Sequence, residues 1–418
     1  MEPFMVDGSR SFLRWREIPG GVWAVGVVSL LMDISSEMIH ALLPLYLVTV
    51  LGASTLTVGI IEGIAEATTS MVKIFSGALS DRLGKRKVLA VVGYGLAAFT
   101  KPVFPLAPSV AWVAGARFID RVGKGIRGAP RDALVADLTP PELRGAGFGL
   151  RQSLDTVGAV LGPLCAIGLM LLTANHFTFV FWIAVIPAFL SVTVLIVGVR
   201  EPDRPAELRT VRAPLSRAEL SRLGLTYWLI VGVATIFTLA RFSEAFLILR
   251  AQAAGFPLAL VPAVMVVMNI AYTLSSWPAG ALSDRIGRPV VLLAGLATLV
   301  AADILLAFAT GVVALGIGIA LWGLHMGLTQ GLFASLVADT APAELRGTGF
   351  GMFNLVTGMA TLVSSVLAGI LWDVAGAPAT FLAGAGFALL AMAALQLARR
   401  VLPANAGAHA PRPAATPR

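Results

Sequence analysis

The chain has 418 residues, 57% of them hydrophobic and only 13% charged, with a mean hydropathy of +0.86 and a formal net charge of +8. A soluble domain carries about 25% charged and about 45–50% apolar residues, so this composition excludes a soluble multi-domain protein and points to an integral membrane protein. The single cysteine, Cys165, excludes an internal disulfide and a multi-thiolate metal site, and the basic balance fits cytoplasmic membrane loops without any nucleic-acid partner.

Residues 1–20 carry mixed charge and no apolar core followed by a cleavage site, which predicts a cytoplasmic N-terminal segment and no removable signal peptide. Apolar runs of about 20 residues, long enough to cross a hydrocarbon layer of roughly 30 Å, then recur to the far end. They lie near 21–50, 56–79, 87–106, 109–136, 144–172, 176–199, 225–249, 258–282, 289–308, 311–337, 345–371 and 378–398, twelve predicted spans. The first contains MDISSEMIHALLP, which sets Asp33, Glu37 and His40 on one helix face, within about 60° of one another. Span two carries Glu62, Glu66 and Lys73. Span four carries Asp120, Lys124, Arg127 and Arg131 along one stripe, with Arg117 and Arg121 beside it. Span five adds Arg151 and Asp155.

The polar stretch 200–224 divides the spans six and six, giving bundles at 21–199 and 225–398 joined by a cytoplasmic linker. The tail 399–418 is Pro- and Ala-rich and reads as disordered and cytoplasmic. Arg82, Lys85, Arg86 and Lys87 follow span two, and Arg144 follows span four, whereas LGASTL, LAPSV, LTANHFT and FATG carry no Lys or Arg. The positive-inside rule then places both termini in the cytoplasm, in the inner membrane of a cell.

The halves repeat. GALSDRLGKRKVL at Gly77 returns as GALSDRIGRPVVL at Gly280, a shift of 203, and ALVADLTPPELRGAGFG at Ala133 returns as SLVADTAPAELRGTGFG at Ser335, a shift of 202. Duplicated halves place a substrate site at their interface, near the bilayer midplane.

At these residues the chain resembles the major facilitator superfamily of secondary transporters. The resemblance implies an all-α membrane fold of twelve transmembrane helices in two pseudo-symmetric six-helix halves, no enzyme activity, no cofactor and a monomer. The family's loop pattern is met by Gly77, Asp81, Arg82, Gly84, Lys85 and Arg86, and again by Gly280, Asp284, Arg285, Gly287 and Arg288, with Pro289 where the last basic residue would stand. In the family this loop latches the cytoplasmic ends of the halves. Gly149, Gly158, Gly162 and Pro163 resemble the family's antiporter motif, although Ala166 and Ile167 replace its closing glycines; the likeness implies export. Arg121, with Lys124 and Gly125, fits the family's span-four pattern, whose Arg is linked to proton transfer.

The same fold lines a central cavity with the first and fourth helices of each half, so the acids of span one are expected to face the bases of span four. An ionised residue at a helix centre costs roughly 2.5–3.5 kcal/mol by insertion scales, which disfavours lipid-facing positions for them all. Asp33, Glu37 and Arg121 are therefore the expected proton-coupling residues. The expected cavity residues are His40, Lys124, Arg127, Arg131, Glu244, Asn269, Met326 and Gln330. His40 could join a proton relay but reads more simply as a polar lining residue, and the groups Glu62–Glu66–Lys73 and Arg151–Asp155 read equally as wet path or helix register. The shift of 202 maps Arg121, Lys124, Arg127 and Arg131 onto Gly323, Met326, Thr329 and Phe333, so coupling is expected mainly in the first half. The expected activity is proton-coupled efflux of a small solute. Two rivals remain, a divalent transition-metal exporter of the same fold and a non-transporting ligand sensor. No phosphate-binding loop of the ATPase kind is present.

Overall fold

A computed structural model describes residues 17–83, 85–201, 220–342 and 345–401, together with all but a few of their side chains. Gly84, most of the 200–224 linker and nearly all of the 399–418 tail lie outside the described residues, as do the side chains of Asp81 and Asp284.

The helices are α1 (Gly20–His40), α2 (Thr55–Leu83), α3 (Arg86–Thr100), α4 (Val110–Leu138), α5 (Arg144–Leu172), α6 (Phe177–Gly198), α7 (Leu225–Ala240), α8 (Ala245–Ala253), α9 (Ala263–Ile286), α10 (Arg288–Phe308), α11 (Val312–Thr340) and α12 (Arg346–Val401). Every predicted span falls on one or two of them. In a bilayer the backbone must satisfy its own hydrogen bonds, which leaves helices as the solution for such runs. The surface is inverted relative to a soluble protein: Leu172 is 83% exposed and Trp277 81% exposed, as lipid-facing positions should be.

Nine helical stretches among the described residues are long and apolar enough to cross a membrane. Helices α2 and α4, each of 29 residues, fall outside that set because they carry the charges noted above. Two other departures from the predicted spans have local causes. The last two spans run together as α12, which turns at Gly376, where φ is 80° and a side chain would be strained. Span seven breaks between α7 and α8: the Ser243 hydroxyl takes the Ala245 N–H at 3.2 Å, a local bond that competes with helix continuation.

The packing repeats as the sequence does. Helix α1 lies on α5 and α6, and α2 and α3 lie on α4; in turn α7 lies on α12, and α9 and α10 lie on α11. Between the two sets, α2 runs along α12 and α5 along α9. The α2–α12 approach is close enough that a Cβ on Gly59 would come within 2.3 Å of the Ser365 carbonyl oxygen, and one on Gly369 within 2.6 Å of the Leu56 Cα. At that end Asp373 of α12 accepts the N–H groups of Thr55 (3.2 Å) and Leu56 (3.0 Å) and the Thr55 hydroxyl, closing the α2 N-terminus. At the end opposite the basic loops, α2 and α12 are thus held together.

Candidate functional site

Between the two sets lies a cavity of about 590 Å³. Its first-half wall is charged: Glu37 and His40 from α1, Glu62 and Glu66 from α2, Arg121 and Lys124 from α4. The second-half wall is aromatic and amide-rich, with Phe237, Asn269, Tyr272, Gln330, Phe333 and Asn354, joined by Met326 and by Arg241 and Glu244 at the α7–α8 break. The walls reach Ala334 and Asn354, so the space extends toward the basic-loop end.

Helical spacing puts these charges inward, and the neighbours determine how each is met. His40 bridges two carboxylates, with Nδ1 3.4 Å from Glu37 and Nε2 3.6 Å from Glu62. Arg117 holds Glu62 at 2.7 Å, both side chains nearly inaccessible. Arg121 lies 3.4 Å from Glu66. A line of titratable groups thus runs from Glu37 through His40 to Glu62. The expected pairing of span-one acids with span-four bases is corrected in part: the close partners of Arg117 and Arg121 are the α2 carboxylates, because α2, not α1, packs along α4. Lys124 is exposed to the cavity and has no ion pair within 4 Å among the described residues, leaving its ammonium available to an anionic group.

Asp120 is also placed differently from its expected stripe. It turns away to Lys101, just past the end of α3, at 2.9 Å, while Lys101 reaches Ser36 at 3.1 Å. Sequence reasoning missed Lys101, although a lysine within an apolar run was visible. Arg127 and Arg131 do not line this cavity. Arg127 lies over the Tyr94 ring at 4.5 Å, and Arg131 contacts Asp132 at 3.1 Å and Asp155 at 3.8 Å. Asp155 also accepts Arg151 at 2.5 Å, an ion pair one turn apart. Asp33 is absent from the cavity lining and lies against α5, where a Cβ on Gly158 would be 2.9 Å from its own. In the second half, Glu244 lies 3.9 Å from Arg241, and Asn269 donates to the Ala159 carbonyl of α5 at 3.1 Å.

Of the antiporter-like motif, Gly158 and Gly162 let α5 meet α1: added Cβ atoms would lie 2.9 Å from the Leu30 and Ile34 carbonyl oxygens respectively. Pro163 is buried beside them, while Gly149 is exposed with nothing near it. Of the latch residues, Arg82, Lys85 and Arg285 are exposed. Gly77 faces Ala129, at 3.5 Å from an added Cβ. Arg86 binds Asp137 at 2.5 Å and the Ala133 carbonyl at 2.6 Å. In the second half Arg288, which the loop pattern aligns with Lys85, takes up the equivalent contact and pairs with Asp339, the counterpart of Asp137. The two acids recur in the repeated VAD tripeptides, a signal present in the sequence but not used.

The sequence profile of the Major Facilitator Superfamily matches residues 25–353 and 245–417. An uncharacterised MFS-type transporter of Methanocaldococcus jannaschii is 33% identical over 387 residues, covering 90% of this chain and 94% of that protein. The multidrug resistance protein MdtH of Yersinia pestis is 32% identical over 190 residues, 45% of each chain. The crystal structure of the nucleoside transporter NupG aligns with a TM-score of 0.75 at 13% identity, covering 90% of this chain and 99% of that one.

Proposed function

This chain belongs to the major facilitator superfamily, a family of membrane transporters and not of enzymes, and from that premise we propose that it exports a small solute across the inner membrane in exchange for protons. The observation that carries the coupling is the Glu37–His40–Glu62–Arg117 line beside the cavity, with Arg121 facing Glu66. A carboxylate whose basic partner moves between two conformations binds its proton more tightly in one than in the other, and that difference ties protonation to the conformational change. Glu37 and Asp33 are the coupling acids in this reading and Arg121 the switching base. His40 passes the proton between Glu37 and Glu62.

With the basic loops in the cytoplasm, the end where Asp373 ties α12 to α2 faces outward and the cavity opens inward, the state that collects solute for export. The antiporter-like glycines of α5 and the partial likeness to a multidrug resistance protein support the outward direction. A cavity of this size suits a drug-sized organic molecule. Its anionic part would meet Lys124, and its apolar part Phe237 and Phe333. Transport proceeds by rocking of the halves about the α2–α12 and α5–α9 seams, in a monomer.

Flux in proteoliposomes with and without an imposed pH gradient tests this. Expected is solute accumulation driven by the gradient and lost in Glu37→Gln. Transport by the wild type that ignores the gradient, or undiminished gradient-driven transport in Glu37→Gln, rejects the coupling.

A further inference from the structure

The second half buries a carboxyl that the site above leaves unused. Asp303 of α10 is 0% exposed, and neither of its oxygens has a hydrogen-bond partner among the described residues. The groups around it do not supply a countercharge. Arg250 of α8 donates to the Leu306 carbonyl at 2.8 Å and the Ala309 carbonyl at 2.7 Å, ending α10 rather than reaching Asp303. Arg241 and Glu244 face the cavity, and His325 of α11 is itself fully buried. Thr380 of α12 gives its hydroxyl hydrogen to the Ala368 carbonyl. No cationic side chain among the described residues pairs with Asp303.

The location of this carboxyl matters. A Cβ on Gly384 would lie 2.6 Å from Asp303 Oδ2, 3.1 Å from Phe242 and 3.2 Å from the Ala240 carbonyl oxygen. The carboxyl therefore shares a notch with the open end of α7, where the helix breaks before the cavity residues Arg241 and Glu244. Broken-helix ends with exposed carbonyls are where transporters of this kind hold coupling ions. The repeat sharpens the point. The shift of 202 puts Asp303 at the position of Lys101, and Trp322 at the position of Asp120. The first half thus fills this position with a lysine and a matching acid. The second half has an acid and an indole, and the Trp322 Nε1 is also without a partner among the described residues.

We propose that Asp303 is a second proton-binding site, occupied while the α7–α8 break is docked on α10 and emptied when the break moves. A lone ionised carboxylate in apolar surroundings is neutralised rather than tolerated, and here the occupant takes the place that the Lys101 ammonium fills in the first half. On release the O–H bond breaks, its electron pair stays on the carboxylate, and the proton passes to water admitted at the opened break. This role rests on the coupled reading above.

Two measurements test it. Infrared spectra of the lipid-reconstituted wild type at neutral pH are expected to show the carbonyl band of a neutral, buried carboxylic acid that Asp303→Asn removes. Absence of the band, or its persistence in the variant, overturns the site; a band abolished by sodium chloride but not by potassium chloride reassigns it to sodium and likewise overturns the proposal. If Asp303→Asn does not fold, Asp303→Glu keeps the acid and is expected to shift the band. In flux, a wild type indifferent to a pH gradient overturns the coupled reading and this coupling role with it, and the band alone then decides whether a proton is held. Given a coupled wild type, Asp303→Asn is expected to move one proton fewer per solute, and an unchanged ratio overturns the inference.

Discussion

The two halves share a backbone plan and differ in how they fill it. In the first, ionised groups are met by ionised groups: Arg117 with Glu62, Arg121 with Glu66, Lys101 with Asp120. In the second, the matching α11 positions are Ile319, Gly323 and Trp322, and the cavity wall is built from rings, amides and a methionine. Duplication fixes where helices cross, and the crossings tolerate either chemistry as long as volume is conserved and charge is balanced locally. Along the cavity the first half presents ionised side chains, and the second presents mostly rings and amides.

The comparison breaks most visibly at its most buried pair. Arg117→Ala strands the Glu62 carboxylate in a site with almost no solvent, and loss of one partner of such a pair costs about 3–5 kcal/mol. Unfolding in detergent should register that, whereas Ile319→Ala, at the matching second-half position, leaves no orphaned charge and should cost less. Equal losses would erase the distinction between the halves.

The paired loop contacts sharpen it next. Arg86–Asp137 has side chains 9% and 16% exposed, against 28% and 38% for Arg288–Asp339. Arg86→Ala should cost about 1.5–3 kcal/mol, the range for a hydrogen bond to a charged group. Arg288→Ala should fall within about 0.2–1 kcal/mol, as exposed ion pairs do. The same melting curves report both, and a reversed order would show that burial does not govern these contacts.

Between these lies the α2–α12 contact at the far end. Asp373→Ala removes the acceptor of two backbone N–H groups at the start of α2, and loss of a helix cap costs about 0.5–2 kcal/mol. Because the contact joins the halves, that energy should shift the balance toward the state open at that end. A Thr57→Cys reporter in a Cys165→Ser background should then label faster in the Asp373→Ala protein, and an unchanged labelling rate would remove Asp373 from the gate.

Much of the site was legible because membrane burial makes charge conspicuous. Glu37, His40, Arg121 and Lys124 stand out in apolar runs, and helical periodicity places them on faces that cannot be lipid-facing. Asn269, Met326 and Gln330 were found from the polar or soft character of the second half. Asp33, Arg127 and Arg131 carry the same signals yet lie off the cavity wall. Periodicity fixes an angle about one helix axis and not which neighbour that angle meets. Asp303 and Lys101 stood one per span, with no stripe to mark them, and their meaning emerges only when the two halves are laid over each other.

The sequence alone determined the membrane, the helices and the duplication, because each is a local or periodic property: apolar length, turn residues, and two segments returning at nearly one interval. Tertiary structure decided the pairings. Whether Arg121 answers to Glu37 or to Glu66, whether Asp120 faces the cavity or Lys101, and whether Asp303 has a partner at all depend on contacts between helices far apart in the chain. Electrostatic energy in a medium of low polarity varies steeply over a few ångströms, a distance that residue spacing along one helix does not encode.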